Sequence, residues 1–338
     1  MISGSSCSRG SERLVLDVAG LAVAVEANGS GMRLCVRGSS VKFLENPDLQ
    51  IQTTFSKNAE RDAESETVSV DKPAKFCGPL ARPENPDLLL RAAWRELGPD
   101  PQGSPVFDSG GAWRLFRRNG CDIYRCYASD REGLPYKEAR IPLDGGAGQL
   151  LLDPRAFPAA EPVDALEFPL DELLFLRLLA AHGGIELHAA GIIAPSGRGY
   201  LFAGQSGDGK STTSHLWQDH PGTTVLSDDR IILRPAPDGA WWMHGTPWHG
   251  EAELAANARA PLAAVLLLGR GTSNALEPLA PAAAMTALLA RSFVSFHDAG
   301  IMEQTLALLA DLVRDVPCLR YSFVPGADAV RFVLENLP

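Results

Sequence analysis

The segment from residue 185 to residue 211 reads IELHAAGIIAPSGRGYLFAGQSGDGKS, and it decides how the whole chain is interpreted. Its last eight residues, Gly204–Ser211, match the phosphate-binding pattern G-x-x-x-x-G-K-[ST] at every fixed position. The apolar run Tyr200–Ala203 predicts a buried strand before the loop, and the residues from Thr212 onward predict a helix after it. Strand, glycine-rich loop and helix form the context in which this motif binds phosphate.

The residues of this loop have separate expected roles. Glycines let backbone N–H groups converge on phosphate oxygens, Lys210 reaches the β- and γ-phosphates, and the Ser211 hydroxyl ligates Mg²⁺. The predicted ligand is therefore ATP with Mg²⁺, the alternative being a flexible Gly/Ser turn that matches by coincidence. The nucleotide-binding residues that we expect are Gly204, Ser206, Gly207, Asp208, Gly209, Lys210, Ser211 and Thr212.

The residues before the loop indicate an antiparallel hairpin. Residues 185–194 predict a strand, Pro195–Gly199 predicts a tight turn, and the strand that feeds the loop begins at once at Tyr200. Two strands joined by so short a turn must be antiparallel, because a parallel pair needs a crossover of a dozen or more residues. Ordinary phosphate-loop ATPases and GTPases have a βαβ crossover at this point, so the hairpin argues against them.

Two acids follow the loop at a distance that suits a second part of the same site. Thr223–Ser227 predicts a short strand that ends in Asp228-Asp229, eighteen residues after Lys210. One carboxylate can hold Mg²⁺ while the other accepts a proton from an attacking hydroxyl, the alternative being a solvated turn. We assign the base to Asp228 and the metal to Asp229, since successive side chains of an extended chain point opposite ways. A sharp turn between them would reverse the assignment.

His188 lies in the strand that the hairpin places beside the one leading into the loop. We expect its imidazole to approach the acids and to orient Asp228 or tune its pKa, so that the catalytic set is Asp228, His188 and Lys210. The alternative is a half-buried strand histidine bonded to a backbone carbonyl.

His188, the loop Gly204–Ser211 and the step Ser227-Asp228-Asp229 together resemble the catalytic domain of HPr kinase/phosphorylase and its relatives. The resemblance covers roughly residues 165–338 and is strong between 185 and 235. It implies a fold related to phosphoenolpyruvate carboxykinase, with a mostly antiparallel sheet around the phosphate loop. It also implies that Asp228 is the general base on a substrate serine.

The chain departs from that family in two places. Thr212 stands where HPr kinases have Glu, and residues 242–250 stand where they have Met-Glu-Ile-Arg-Gly, with His244 in place of the Glu. The missing acid removes one expected metal carboxylate, for which Glu251 is a candidate substitute, and puts phosphorolysis of the product in doubt. Such departures resemble divergent HPr-kinase-like enzymes of ribosomal-peptide pathways, including kinases that phosphorylate a serine of lasso-peptide precursors.

The resemblance therefore implies an ATP-dependent kinase that acts on a hydroxyl, as of serine, of a peptide or small protein. The alternative is a nucleotide-binding regulatory or scaffold protein that has lost turnover, because the family's Glu is missing. Joint retention of Lys210, Ser211, Asp228 and Asp229 favours the kinase. Carboxykinase chemistry shares the fold, but the sequence has no visible set of residues to bind a small acid.

Composition limits the partners. A net charge of −10 argues against nonspecific binding to nucleic acid and to an anionic membrane surface. Met1–Arg13 has no apolar core, so we expect no secretory signal, and no apolar run is long enough to cross a bilayer. The six cysteines show no C-x-x-C spacing, which favours reduced thiols in the cytoplasm. The sequence leaves open whether the chain forms a homo-oligomer.

The length of 338 residues predicts two domains. Residues 1–165 predict a β-rich domain that serves substrate recognition, with a hairpin of residues 113–118 and 122–127 across Asn119-Gly120. Residues 166–338 predict the mixed catalytic domain, so the fold class is α/β (α+β). In this second half we expect helices near 171–181, 281–291, 302–313 and 327–337, and a buried strand at 263–268.

An aromatic and histidine-rich segment is the other unusual feature of the second half. Trp241, Trp242, His244, Trp248 and His249 follow one another within nine residues, and we expect them to form a wall of the substrate cleft. Zinc binding is a weaker alternative, because a third ligand is unspecified. Arg270 and Arg291 are candidates for neutralising the transferring phosphoryl group. The alternative for each is a surface or structural arginine.

Overall fold

A computed structural model describes residues 10–28, 31–45, 85–131, 133–158, 161–205 and 207–337. It shows a mixed α/β chain with a large sheet in each half. The N-terminal sheet contains two adjacent parallel pairings, and the other pairings among its described strands are antiparallel. Its strands, in spatial order, are β1 (Arg13–Val18), β2 (Leu21–Ala27), β4 (Leu88–Trp94), β9 (Gly148–Leu152), β8 (Pro135–Pro142), β7 (Cys121–Tyr127), β6 (Trp113–Arg118) and β5 (Phe107–Asp108).

The predicted hairpin in this half is confirmed. β6 and β7 pair antiparallel, with Arg118 opposite Cys121, across a turn in which Asn119 and Gly120 both have positive φ. Two short strands, β3 (Leu34–Cys35) and β10 (Val163–Asp164), pair parallel beside this sheet, and residues Gly38–Phe43 form a 3₁₀ helix.

The C-terminal sheet is mostly antiparallel, as the family resemblance implies. Only the pairings of β12 with β16 and of β16 with β18 are parallel among the described strands. Its strands are β11 (Ile185–Ile193), β12 (Gly199–Ala203), β13 (Thr224–Ser227), β14 (Arg230–Pro235), β15 (Trp241–His244), β16 (Arg259–Arg270), β17 (Ala275–Pro278) and β18 (Cys318–Phe323).

β11 organises the region around the acids. β12 pairs antiparallel with the second half of β11, which confirms the predicted hairpin. β13 also pairs antiparallel with that half, and β14 pairs antiparallel with the first half. Ladder pairing holds at Gly191 with Ser227 and at His188 with Arg230, and it is interrupted between these positions. Asp228-Asp229 occupies the interruption, so both carboxylates are released from the regular alternation of a strand.

Helices cover the sheets and agree in position with the sequence prediction. They are α1 (Leu170–His182), α2 (Lys210–Gln218), α3 (Pro281–Leu289), α4 (Ala299–Asp315) and α5 (Ala327–Asn336). Helix α1 packs into the hydrophobic core of the N-terminal sheet through Leu170, Leu174 and Phe175. Its side chains therefore join the core of the first half, although a boundary at residue 165 assigns the helix to the second domain. None of the helices in the described part of the chain is long and apolar enough to span a membrane.

Candidate active site

The phosphate loop connects the end of β12 to the start of α2. Gly207 and Gly209 have φ of +85° and +104°, in the left-handed region that favours glycine. A Cβ at Gly209 would lie 2.6 Å from the ring of Phe323, so this position excludes any larger residue unless that ring moves. Ser206, which we expect to contact nucleotide, lies outside the described residues.

The N-terminus of α2 is open towards the loop. Its cap residue, Gly209, has no side chain to bond the first amides, so the N–H groups that begin the helix remain for an anion. Lys210 Nζ donates to the carbonyl oxygens of Gly204 at 3.0 Å and of Gln205 at 3.2 Å. Burial lowers the pKa of Lys210, and the charges of Asp229 and Asp208 oppose that effect. The amine thus bonds to carbonyl oxygens of the loop, and the negative charges of Asp229 and Asp208 stabilise its charged form.

Asp228 is a buried residue that bonds the loop of residues 250–252. Its side chain is part of a residue only 2% exposed, and its two oxygens accept hydrogen bonds from the backbone N–H groups of Gly250 and Ala252, each at 3.0 Å. Hydrogen bonds to an ionised acceptor are the strong ones. The carboxylate therefore fixes the loop of residues 250–252 against the end of β13.

Asp229 is the carboxylate that His188 contacts. Its Oδ1 lies 2.9 Å from His188 Nε2, its Oδ2 accepts a hydrogen bond from Arg230, and 21% of the side chain is exposed. Burial raises the pKa of Asp229, but the hydrogen bond with His188 and the charge of Arg230 outweigh it, so that the pKa is lowered. At neutral pH this group is an ionised acceptor.

This pairing differs from the expectation that His188 supports Asp228. The reason is the register at the interruption of the ladder: Ala189 N donates to Asp229 O at 2.9 Å, and His188 lies opposite Arg230. Asp229 is consequently beside the histidine, and Asp228 turns towards residues 250–252. The chain bends sharply between the two acids, so Asp229 and not Asp228 lies beside His188.

A cavity of about 320 Å³ unites most of the expected site. Its lining combines loop, helix, strand and bend residues, namely His188, Gly207, Gly209, Lys210, Ser211, Thr212, Asp228, Asp229, Gly250 and Glu251. Gly204 and Asp208 are not among them, because they shape the loop from within: Asp208 Oδ2 accepts a hydrogen bond from Gln205 N at 2.5 Å. Glu251, the candidate substitute for the missing family acid, does reach the cavity.

Three charged residues beside the site escaped the sequence prediction, namely Arg230, Glu172 and Glu186. Arg230 contacts both Asp229 and Glu172, and its Nε lies 3.8 Å from Glu186 Oε1. We call His188, Asp229, Arg230, Glu172 and Glu186 the acid cluster. A signal for Glu186 was present, because residues two apart on a strand share a face and Glu186 precedes His188 by two. Glu172 lies in the first turn of α1, where the helix dipole already favours an acid, so its position in the sequence does not point to a site.

The aromatic and histidine-rich segment does not form the expected cleft wall. Trp248 is buried against Phe175, with ring centroids 5.8 Å apart, and its Nε1 donates to Asp171 Oδ2 at 2.8 Å. Trp242 and His244 line a different cavity of about 460 Å³, shared with Arg234 and Arg259. The residues just after this segment reach the site instead, Gly250 and the predicted candidate Glu251.

His244 does not replace the family's acid. Burial, followed by the charges of Arg234 and Arg259, lowers its pKa to about 3, so its imidazole is neutral at physiological pH. A neutral ring in another cavity cannot supply the missing carboxylate at the phosphate loop.

The two candidate arginines lie near the loop. Arg270 Nη2 donates to Gly207 O at 3.3 Å. Arg291 acts on Lys210 through its charge, and its carbonyl oxygen accepts from His188 N at 2.7 Å. Both therefore remain candidates to approach a bound phosphate.

Comparisons with known proteins add little to this geometry. No family model matches the chain, and no curated protein matches it. A solved structure of the HPr(Ser) kinase/phosphatase from Coxiella burnetii aligns with 45% of this chain and 94% of that chain, at 13% sequence identity and a TM-score of 0.27. So low a TM-score is no basis for assigning a fold or a function.

Proposed function

We propose that this chain is an ATP-dependent kinase that transfers the γ-phosphate to a hydroxyl, that of serine, of a peptide or small protein. The observation that carries the proposal is one cavity in which Lys210 and Ser211 of the phosphate loop face an imidazole–carboxylate pair. A phosphate cradle beside an oriented base is the minimum that phosphoryl transfer to a hydroxyl requires. The proposal includes the phosphate-loop fold of HPr kinase for residues 166–338, supported by the antiparallel hairpin that feeds the loop.

The nucleotide would be held largely by backbone groups. The open N-terminus of α2 and the left-handed Gly207 and Gly209 suit a triphosphate, because they bring N–H groups together without a Cβ between them. Lys210 adds the positive charge, and the bonds it makes to Gly204 and Gln205 would be exchanged for phosphate oxygens. Arg270, which donates to the carbonyl of Gly207, and Arg291, whose charge acts on Lys210, would add positive charge around the loop.

We propose Asp229, rather than Asp228, as the general base. Asp229 is ionised, partly exposed and bonded to His188, an imidazole that can take up a proton. Asp228 is buried, and both of its oxygens accept from backbone amides, which cannot take up a proton. His188 would hold the carboxylate in place and share the proton that leaves the acceptor hydroxyl. The base therefore lies one residue later than the family resemblance implies.

Side chains that line the cavity have the ligand chemistry that Mg²⁺ prefers. Within the described residues, no group of three or more His, Cys, Asp or Glu side chains is arranged to hold a metal by itself. In nucleotide sites phosphates and water supply most ligands of Mg²⁺, and the protein adds one or two. Ser211, Asp228 and Glu251 line the cavity and would provide them, since each Asp228 oxygen keeps a second lone pair.

The remaining expectations are proposals as well. The first half, residues 1–165, would recognise the acceptor, since the catalytic residues all come from the second half. A cytoplasmic location is supported by the thiols of Cys121, Cys126 and Cys318, which form no disulfide.

Phosphate transfer can be tested without knowing the natural acceptor. The chain is incubated with Mg²⁺ and γ-labelled ATP, together with a degenerate peptide library that has a fixed central serine. A matched library has alanine at that position, and any short peptide encoded next to this gene would serve as a specific candidate. We expect label on serine peptides alone, and none with Lys210→Ala. Tight ATP binding without transfer to any acceptor would favour the regulatory nucleotide-binding protein, and absence of ATP binding would overturn both.

A further inference from the structure

The cavity of about 460 Å³ beside Trp242 and His244 lies on one face of three adjacent strands. These two residues are two apart on β15, so their side chains share a face of the sheet. Arg234 on β14 stands opposite Trp242, and Arg259 on β16 stands opposite His244. Strand pairing therefore brings two guanidinium groups, an indole and an imidazole to one cavity. None of these four residues lines the cavity at the phosphate loop.

The two arginines are oriented by groups that carry no net charge. Arg234 donates to the carbonyl oxygen of Ala19 at 2.7 Å, in the turn between β1 and β2, and to that of His182 at 3.3 Å, at the end of α1. Arg259 Cζ lies 4.7 Å from the ring centroid of Trp242. A guanidinium has five N–H donors, so Arg234 keeps donors for a ligand beyond the two that it uses.

His244 is the buried polar group of this cavity. The residue is 6% exposed, and no group among the described residues forms a hydrogen bond with its ring. Burial, followed by the charges of Arg234 and Arg259, lowers the pKa of His244 to about 3, so the ring is neutral and has one N–H donor. A buried donor without a partner is costly, and an anion in the cavity would supply the acceptor.

The remaining walls are mostly apolar. Pro235 and Pro237 contribute their rings from the connection between β14 and β15, and Trp242 contributes the face of its indole. Flat apolar surfaces suit an aromatic or similarly flat ligand. A volume of about 460 Å³ falls in the range of about 300–1,000 Å³ that is usual for small-molecule sites.

The charge of the cavity suits a single carboxylate. Its lining includes two cations, Arg234 and Arg259, and one acid, Asp238, which leaves one net positive charge because His244 is neutral. Asp17 and Asp87 act on Arg234 from outside the lining and weaken the positive field further. A phosphate monoester carries a charge of about −1.5 to −2 at neutral pH, so a monocarboxylate matches this field better.

We propose that this cavity is a second binding site, which takes a monocarboxylate carried on an aromatic or similarly flat apolar body. The carboxylate accepts hydrogen bonds from the arginines and from the His244 N–H, and the apolar body lies between the indole and the proline rings. The site is independent of the proposed phosphate transfer, since the two cavities have no lining residue in common. A small-molecule acid and an acidic residue beside an aromatic one in a peptide both carry this chemistry.

The test titrates phenylacetate into the full chain, with phenylacetamide as its uncharged match. The indole N–H signal of Trp242, assigned by its loss in Trp242→Phe, reports binding by NMR. We expect phenylacetate to shift this signal with a Kd of about 1 mM or tighter, and phenylacetamide to leave it in place. Arg259→Met should weaken binding roughly 10–100-fold and Arg259→Lys less, while His244→Phe should weaken it about tenfold, because each loses a hydrogen bond to a charged group. Arg320→Met, an exposed arginine of β18, is the matched control and should bind as wild type does.

Two further titrations separate the site from the phosphate loop and identify the source of the carboxylate. MgATP should leave phenylacetate bound, and displacement by MgATP would overturn a second site. The peptide acetyl-Phe-Glu-amide is compared with acetyl-Phe-Gln-amide: tighter binding of the glutamate peptide than of phenylacetate assigns the site to a peptide, and weaker binding assigns it to a small-molecule acid.

Three results would overturn the proposal. They are equal binding of phenylacetate and phenylacetamide, wild-type binding in folded Arg259→Met and His244→Phe, and tighter binding of inorganic phosphate than of phenylacetate. Should Arg259→Met not fold, Arg259→Lys decides by the same titration, since a lysine keeps the charge but loses the planar fork that matches a carboxylate. Failure of phosphate transfer in wild type would leave this result unchanged.

Discussion

The phosphate loop and the acid cluster face the same cavity, but the chain builds them by different means. The loop is eight consecutive residues whose function lies in backbone N–H groups, glycine dihedral angles and a single amine. The acid cluster takes side chains from α1, β11, β14 and the bend before β14, and it depends on burial and mutual charge. The loop is therefore a local structure, whereas the cluster exists only after the sheet and α1 have packed together.

The difference also separates the two neighbouring aspartates. Asp228 has the surroundings of a structural residue, with both oxygens bonded to backbone amides, and Asp229 has those of a reactive one. Residues adjacent in sequence thus belong to different parts of the site. The predictions below test this separation, from the largest expected effect to the smallest.

Asp229→Asn should cause the largest loss of turnover. Removing a general base typically costs about 10²–10⁴-fold in rate, while the phosphate loop is untouched, so ATP affinity should stay at the wild-type value. Single-turnover phosphate transfer and calorimetric ATP binding measure the two quantities. Asp328→Asn, an exposed acid of α5, is the control. Full turnover in a folded Asp229→Asn protein would remove the base from this residue.

Lys210→Ala should affect both ATP affinity and transfer. Lys210 is the buried amine under the loop, and losing a preorganised charge at a transferring group costs about 10²–10³-fold. Calorimetry with Mg²⁺ and ATP, followed by rate measurement at saturating ATP, separates the two effects. Arg331→Met on α5 removes an exposed cation as a control. An unchanged ATP affinity would show that the loop does not hold the nucleotide.

Asp228→Asn should instead act on stability. An amide nitrogen would replace one oxygen that accepts from Gly250 or Ala252, and a lost hydrogen bond to a charged group costs about 1.5–3 kcal/mol. We expect urea denaturation to show this decrease in the free energy of unfolding, together with a higher Mg²⁺ requirement. A stable Asp228→Asn protein that binds ATP but has lost turnover by the factor expected for Asp229 would return the base to Asp228.

Asp171→Asn should change how stability depends on pH. Burial raises the pKa of Asp171 to about 7 in the folded protein, against its hydrogen bonds from Trp248 and from its own helix. The folded state then holds the proton more tightly than the unfolded state, so this group's contribution is favourable at low pH and is lost as pH rises towards 7. Relative to Asp171→Asn, wild type should lose about 1–3 kcal/mol between pH 5 and pH 8 in urea denaturation. A pH-independent difference between the two proteins would contradict the raised pKa.

The local elements were predictable because their signals are local. The hairpin of β11 and β12, the loop Gly204–Ser211 and helix α2 follow from a short turn, a glycine pattern and an apolar run, each within a few residues. The mostly antiparallel character of the whole sheet was expected from the family resemblance, since the turn predicts only the pairing of β11 with β12. Lys210, Ser211, Asp228, Asp229 and His188 were all identified as site residues, since their residue types and spacing suit phosphoryl transfer.

What the sequence by itself determined is therefore the conformation of the phosphate loop and the set of candidate side chains, because backbone chemistry and residue types within short continuous segments decide them. Only the tertiary structure decided which acid meets His188, since an interruption in the β11 ladder, and not alternation along a strand, aims the two carboxylates. It also brought Glu172 from α1 and Glu186 from β11 to Arg230, and it buried Trp248 against Phe175 away from the cleft. Contacts between residues distant in the chain depend on the packing of whole elements, and no spacing within one segment encodes that packing.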